Sequence, residues 1–600
     1  MLSPDARSVA MDMMRPPAGY RLDRAVLTTY SLDLDVLLAL PLAVMAQTDR
    51  PVRELMDDPL LLLEALREAG QRIDVFVDQT GIAVPHTNRA LYAMLETSVH
   101  PVKSPNGGAF HPKLWVMRFV DEEGWPLIRV AVASRNLTHD RSWDVALVSE
   151  ASPDEGGTAS TSAPLARLLE QLPGLALESL DADTVQAMAD LAAEVGRTEF
   201  PAPEGFSGSV RFEVLGMESG QTGPWRPEGG GDRLLAMAPF VNRGGLELLS
   251  SASAGERTLI SRQEALDDLA ANALDGWETV QVLADAAIDE EAAEETDRPS
   301  TLHAKLFAIE YGRLVRWYVG SANLTAAALH GRNVEVMACL EGKSGNQGSG
   351  RGVGIERFAE SGFLKLCRPY QRCERPVDDT LERARGKLER ARDALLAGKL
   401  AISCQSGESG WQWRLDGSIS LAEGVTAVAW PVSIAEDQAA TLPLPITWSL
   451  PMARLTAFVA FRLSVEADVD DLRLVLKLPA TGLPEGRVAQ VLRTLIDSPE
   501  RFMQFLRALL GGLEGMADWL GQGDGKGWEG EFIAGLGGET LLEDLLRVAA
   551  RDPARLEPVR RLIADLRSTP EGREIVRDDF FELWKVVDGA VSNGDRPRKS

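Results

Sequence analysis

Residues 109–119 read AFHPKLWVMRF, and residues 301–311 read TLHAKLFAIEY. Each stretch carries a His, one intervening residue and a Lys, followed by an apolar run with strand character. His111 and His303 lie 192 residues apart, and their surroundings repeat in the same order. AVLTTYSLDLDVL from Ala25 has its counterpart in RLLAMAPFVNRGGLELL from Arg233, and DVFVDQ from Asp74 in TLISRQ from Thr258. After each HxK come a turn and a second apolar strand, LIRVAVAS from Leu127 and RLVRWYVGS from Arg313. Each copy then ends in a polar turn that is expected to open a helix, SRNLTHDRSWD from Ser134 and GSANLTAAALHGRNVE from Gly320.

Side chains two positions apart on a strand share a face, so each HxK is expected to present an imidazole beside an ammonium. The Ser-x-Asn-Leu-Thr turns, Ser134–Thr138 and Ser321–Thr325, add hydroxyl, amide and helix N-terminal donors. Two such sets facing one another would surround a phosphate with two imidazoles, two lysines and two asparagines. One His could attack phosphorus while the other protonates the leaving oxygen. Lysine and asparagine donors would stabilise the charge that develops on the nonbridging oxygens. No metal constellation such as HExxH occurs, and this chemistry needs neither metal nor cofactor.

The combination of HxK, hairpin, S-x-N-L-T and a later acid resembles the HKD motifs of the phospholipase D superfamily, over roughly residues 20 to 345. Carried over residue by residue, the resemblance implies a first half-site of His111, Lys113 and Asn136 and a second of His303, Lys305 and Asn323. Ser134 and Ser321 fill the small hydroxyl position, with Thr138 and Thr325 as further phosphate support. Glu335 matches the acid that orients a catalytic histidine, and Asp144 looks like its counterpart. By the same resemblance His111 is the nucleophile and His303 the acid. The family's Asp five positions after the Lys is replaced by Arg118 and Glu310, as in nuclease-like and tyrosyl-DNA phosphodiesterase-like members.

The expected fold class is α/β: a two-lobed phospholipase D-like core of duplicated mixed β-sheet halves flanked by helices, plus a C-terminal β domain and a helical region. The expected division is 1–155 for the first half, 156–204 for a helical connection, 205–345 for the second half, 346–400 for a helical linker, 401–484 for a β-rich domain and 485–600 for a helical region. At 600 residues the chain is too long for one hydrophobic core, and 45% hydrophobic with 25% charged residues is ordinary globular composition. A tail beyond Gly589 is expected to fray.

A net charge of −26 makes bulk attraction to a phosphate backbone unfavourable, so contact with nucleic acid requires a local basic patch. Lys365 to Lys399 holds ten Lys and Arg against six Asp and Glu, and competes with the plainer reading of a solvated helix face. The acidic run DAAIDEEAAEETDRP from Asp285 reads as a solvated loop or as a shield over the phosphate site. Trp115, Trp125, Trp143 and Trp317 read as core residues, with base stacking as the alternative. His139 and His330 read as exposed, and His86 and His100 have no patterned partner. Cys339, Cys367, Cys373 and Cys404 match no disulfide or zinc pattern. The N-terminal sequence has no signal-peptide pattern, and the expected location is cytoplasmic.

The resemblance therefore implies a nuclease-type phosphodiesterase with nucleic acid as substrate. Bacterial proteins that look like this, with a twin HxK core and added C-terminal domains, work beside helicases or ATPases in phage defence, which implies a protein partner of that kind. The alternatives are a lipid phosphodiesterase, disfavoured because no membrane anchor is legible, and a noncatalytic scaffold with a degenerate site.

Overall fold

The computed structural model describes residues 13–45, 65–66, 70–139, 142–154, 157–217, 223–284, 301–345, 352–360, 362–373, 379–408, 410–496, 498–499, 501–503, 506, 545–546, 548–549, 556–567 and 570–594. The acidic run from Asp285 lies outside these residues, as do most of the FMQFLRALL and LLEDLLRVAA segments.

The first repeat supplies β1 (Arg21–Thr29), β2 (Ile73–Asp78), β3 (Val99–Val102), β4 (Leu114–Val120), β5 (Pro126–Ala133), β6 (Ser142–Trp143) and β7 (Ala146–Ala151). The second supplies β8 (Phe206–Leu215), β9 (Gly231–Met237), β10 (Ser253–Ser261), β11 (Thr279–Leu283), β12 (Thr301–Leu302), β13 (Leu306–Tyr311), β14 (Leu314–Gly320), β15 (Glu335–Lys343) and β16 (Cys367–Pro369). The first sheet runs β3-β2-β1-β4-β5-β7, and the second runs β16-β11-β10-β9-β13-β14-β15-β8. Without its two outermost strands, the second sheet repeats the first strand for strand. The directions repeat too: β1, β2 and β3 are parallel, as are β9, β10 and β11, and the strands from β4 and from β13 onward are antiparallel.

Alternation along the strands explains how the sheets stack. On β9, Leu235 and Met237 enter one core while Leu234 and Ala236 enter another, and on β13 Leu306 and Ala308 part from Phe307 and Ile309 in the same way. The core that receives Leu235 and Leu306 also receives Val26, Phe76, Leu114, Val116 and Val130 from the first sheet, so the two sheets share it. Helices Ala163–Leu175 and Ala182–Val195 pack into that core through Leu165, Leu169, Met188 and Leu191. Helix Arg243–Ser250 covers the far face of the second sheet through Leu246, Leu248 and Leu249.

The far face of the first sheet is covered by the C-terminal part of the chain. Strands β17 (Ala401–Gly407), β18 (Gly410–Asp416), β19 (Val425–Pro431), β20 (Ala440–Thr441), β21 (Ile446–Leu450), β22 (Phe458–Val465), β23 (Leu472–Lys477) and β24 (Ala480–Thr481) form two sheets, ordered β21-β18-β17-β24 and β20-β19-β22-β23. All their pairings are antiparallel except β17 with β24. Trp413, Phe458 and Phe461 join Leu27, Val75 and Trp115 in one cluster, together with Leu388 and Leu395 of helix Asp379–Ala397.

Three local expectations need correction. Both HxK triplets precede their strands, which begin at Leu114 and Leu306, because each triplet leaves its sheet edge to meet the other repeat. No helix follows the first S-x-N-L-T turn among the described residues, since β6 starts at Ser142 and pairs in parallel with β12, leaving too few residues for a turn of helix. The chain does not fray at Gly589, because helix Asp578–Gly594 continues past it, and residues 595–600 lie outside the described residues.

Candidate active site

The HxK triplets are held by backbone contacts between the repeats. His111 N donates to Val334 O (3.0 Å), one residue before Glu335, and Phe110 N donates to the carboxylate of Asp78 (2.8 Å). In the second repeat, His303 N and Ala304 N both donate to Trp143 O (2.9 and 2.7 Å), one residue before Asp144. Each triplet is thereby placed beside the acid of the opposite repeat.

The side chains complete this crossing. His111 Nδ1 donates to Glu335 Oε2 at 2.9 Å, and His303 Nδ1 donates to Asp144 Oδ1 at 2.9 Å. Such a bond fixes the tautomer, leaving Nε2 of each ring as the nitrogen with chemistry to do. Each Nε2 faces its lysine, with Lys113 Nζ 3.1 Å from His111 Nε2 and Lys305 Nζ 3.4 Å from His303 Nε2. Both ammonium groups also donate to the backbone, Lys113 to His111 O and Lys305 to His303 O and Ser134 O.

The two serines behave alike. Ser321 Oγ donates to Glu335 Oε2 (2.5 Å) and accepts from Val336 N, while Ser134 Oγ donates to Asp144 Oδ1 (2.8 Å) and accepts from Val145 N. They hold the carboxylates in place. Thr325 accepts from Ala328 N and caps the short helix Ala326–Leu329, while the carbonyl of Thr138 accepts from Arg135. Asn136 Oδ1 accepts from Ser31 N at 3.4 Å, whereas Asn323 Oδ1 is buried and accepts no hydrogen bond among the described residues.

Arg118 and Glu310, at the positions of the family's Asp, are engaged elsewhere. Arg118 pairs with Glu194 and Asp23, and Glu310 accepts from Ile355 N. Trp115 and Trp317 are buried, Trp143 packs edge-on against Phe363, and exposed Trp125 sits on the β4–β5 hairpin at the opposite end of the strands from His111. His139 and His330 are exposed.

Sequence reasoning missed three contributors. The Tyr30 ring lies 5.2 Å from the imidazole of His111, Asn333 Nδ2 donates to Glu335 Oε1, and Ser142 Oγ donates to Asp144 Oδ2. Asn333 and Ser142 each stand two residues before an acid, a spacing that could have signalled them.

The electrostatics are those of a crowded cationic pocket. Lys113 and Lys305 are almost completely buried, at 0% and 1% exposure, and neither forms an ion pair among the described residues. Burial pushes Lys113 down to about 7 and Lys305 well below the usual ammonium range, with Lys113 itself depressing Lys305. Burial also pushes His111 down to about 4, against the opposing pull of Glu335, and lowers His303 against Asp144. The charges of both lysines act on both imidazoles, so the two sets belong to one electrostatic site. Burial alone would raise Asp144, but hydrogen bonds from His303, Ser134 and Ser142 hold it below the usual carboxylate range.

Among solved structures, the chain is similar to yeast tyrosyl-DNA phosphodiesterase, at 12% identity and a TM-score of 0.35, covering 58% of this chain and 88% of that one. It is also similar to polyphosphate kinase from Porphyromonas gingivalis, at 14% identity and a TM-score of 0.28, covering 65% and 44%. Likenesses this faint carry no argument about chemistry. No protein-family model matches the sequence, and no curated protein matches it. Among the described residues no helix is long and apolar enough to cross a membrane, and no three His, Cys, Asp or Glu side chains gather as a metal site would.

Proposed function

We propose that the chain is a phosphodiesterase of phospholipase D type, working without a metal through a phosphohistidine, in a two-lobed unit whose repeats each give half the site. The observation that carries this reading is the crossed duplication: each His–Lys pair is completed by an acid from the other repeat. Two buried lysines without a carboxylate partner suit an anion, which would hold them in the ammonium form, since a buried charge is tolerated only when it is compensated.

In the proposed reaction His111 Nε2 attacks phosphorus and the bond to the leaving oxygen breaks. That oxygen takes the proton from His303 Nε2. His303 then removes a proton from water, the water oxygen attacks phosphorus, the P–N bond breaks, and its electron pair returns to His111. Lys113, Lys305 and the amides of Asn136 and Asn323 donate to the nonbridging oxygens throughout. His111 is assigned as nucleophile because its own burial outweighs the pull of Glu335 and pushes its pKa down to about 4. Shielding favours the uncharged imidazole that attack requires. Nucleic acid is the proposed substrate, with a helicase or ATPase partner to supply contacts that so acidic a chain lacks.

The test is to trap the adduct. With a 4-nitrophenyl leaving group, which needs no proton, His303→Ala should accumulate a covalent phosphohistidine on His111, seen by intact mass and peptide mapping, whereas His111→Ala should accumulate none. An adduct mapped to His303 in the wild-type protein would reverse the roles, and no adduct together with no hydrolysis of any phosphodiester would sink the reading.

A further inference from the structure

Phe240 breaks the symmetry of the repeats at the rim of the site. It follows β9 and is 48% exposed, among the few large hydrophobic side chains on the described surface that reach that level. The next residue, Val241, pairs with Leu324 beside Asn323, and Asn242 N donates to Leu324 O at 3.1 Å. The guanidinium of Arg262 lies 5.0 Å from the centroid of the Phe240 ring. Arg262 is itself tied to the strand just before His303, donating to Leu302 O (2.6 Å) and to Thr301 Oγ1 (3.2 Å). Phe240 thus sits one residue from a pair with the Asn turn and one contact from the HxK strand. In the first repeat, where Leu32 pairs with Leu137 as Val241 does with Leu324, the position of Phe240 is taken by Ser31, and the neighbouring aromatic ring, Tyr30, lies against His111.

We infer that the Phe240–Arg262 pair is a stacking platform for a nucleobase attached to the phosphate in the site, which makes an unpaired nucleotide, single-stranded or terminal, the preferred substrate. This rests on the phosphate-binding reading of the HxK pocket. A half-open ring backed by a cation offers a flat face to a flat π-system, and base stacking on such residues is indifferent to base identity. A base inside a duplex has both faces covered and cannot use it. An acyl chain would want a concave apolar groove, which one ring does not make.

The test compares thymidine 5′-monophosphate with 2-deoxyribose 5-phosphate, which lacks only the base, by calorimetric titration of the full chain. Wild-type protein should bind the nucleotide about tenfold more tightly. Phe240→Ala should abolish that gap by weakening the nucleotide alone, and Phe240→Trp should keep it. Equal affinities in the wild type, a gap that survives Phe240→Ala, or no binding of either ligand would overturn the inference. Hydrolysis of bis(4-nitrophenyl) phosphate by the wild type is scored separately, so a protein that binds the nucleotide through Phe240 but hydrolyses nothing would refute the phosphodiesterase reading and leave the platform standing.

Discussion

Glu335 and Asp144 set which ring nitrogen of each histidine is reactive, and the crossing gives them separable duties. Glu335 serves the proposed nucleophile and Asp144 the proposed acid. Glu335→Gln should therefore slow phosphohistidine formation from a 4-nitrophenyl ester by roughly 100-fold, the usual order for losing an orienting partner. Asp144→Asn should leave that step within about threefold and instead slow turnover of substrates with alkyl leaving groups. Rapid-quench bursts on the two variants make the comparison, and equal slowing of the burst would remove functional meaning from the crossing. The lysines predict a proton balance. Lys113, held at about 7, is largely uncharged at pH 8, and an anion beside it raises its pKa toward the ordinary range. Phosphate or tungstate binding at pH 8 should take up protons, visible as a binding enthalpy that changes with buffer ionisation enthalpy. The uptake should shrink in Lys113→Met, and an enthalpy independent of buffer would show that Lys113 stays charged in the free site. For His111 the sign is also set. Its folded value of about 4 lies below the ordinary 6.5, so the stability it contributes is complete above 6.5 and is lost as pH falls toward 4. Thermal melts of wild type and His111→Gln should converge over that window, and a gap constant with pH would contradict the burial.

At the scale of elements, the loop before β4 decides whether the crossing can form. Asn106 Nδ2 donates to Gly216 O and Gly331 O, and Ala109 N donates to Asn333 Oδ1, so residues 106–109 lie flat on the second repeat. Gly108 permits that approach, since a Cβ there would sit 2.6 Å from Arg332 C and 2.7 Å from Asn333 Oδ1. Gly108→Ala should cost about 1 to 3 kcal/mol. It should also lower turnover at least tenfold, an estimate that follows from the sensitivity of catalysis to small misplacement of His111. Melting temperature and kcat measured together check this, and wild-type values for both would free the loop of any positioning role.

Across the whole molecule, the first sheet depends on the C-terminal strands for cover. Glu96, buried on the first repeat, accepts from Thr456 Oγ1 (3.0 Å) and Ala457 N (2.9 Å), and its carboxylate pairs with Arg487 (2.5 Å). Val475 N donates to Ile82 O (2.8 Å) and Lys477 Nζ to Val99 O (3.0 Å), which carry the C-terminal sheet onto the first repeat. Glu96→Ala leaves Arg487, the Thr456 hydroxyl and the Ala457 N–H without their acceptor, and should destabilise the chain by about 3 kcal/mol. Denaturant titration of the variant tests this, and an unchanged midpoint would mean that the buried network is dispensable. Residues 401–484 read from sequence as a separate β-rich unit, yet Trp413 and Phe458 share a core with Leu27 and Val75.

The repeat, the two HxK triplets and the Asn turns were legible in the sequence, because each rests on short offsets along a local backbone. The apolar run after each HxK also marked a strand. It could not show what covers each face, since an apolar residue specifies burial and not a partner. The contacts that make the site are long in sequence: His111 meets Glu335 across 224 positions, and His303 meets Asp144 across 159. Pairing each acid with the opposite histidine, laying Tyr30 against His111 and leaving Phe240 open at the rim all required the two sheets to be stacked. Only that stacking, driven by a shared core with no signature in either repeat alone, decided them.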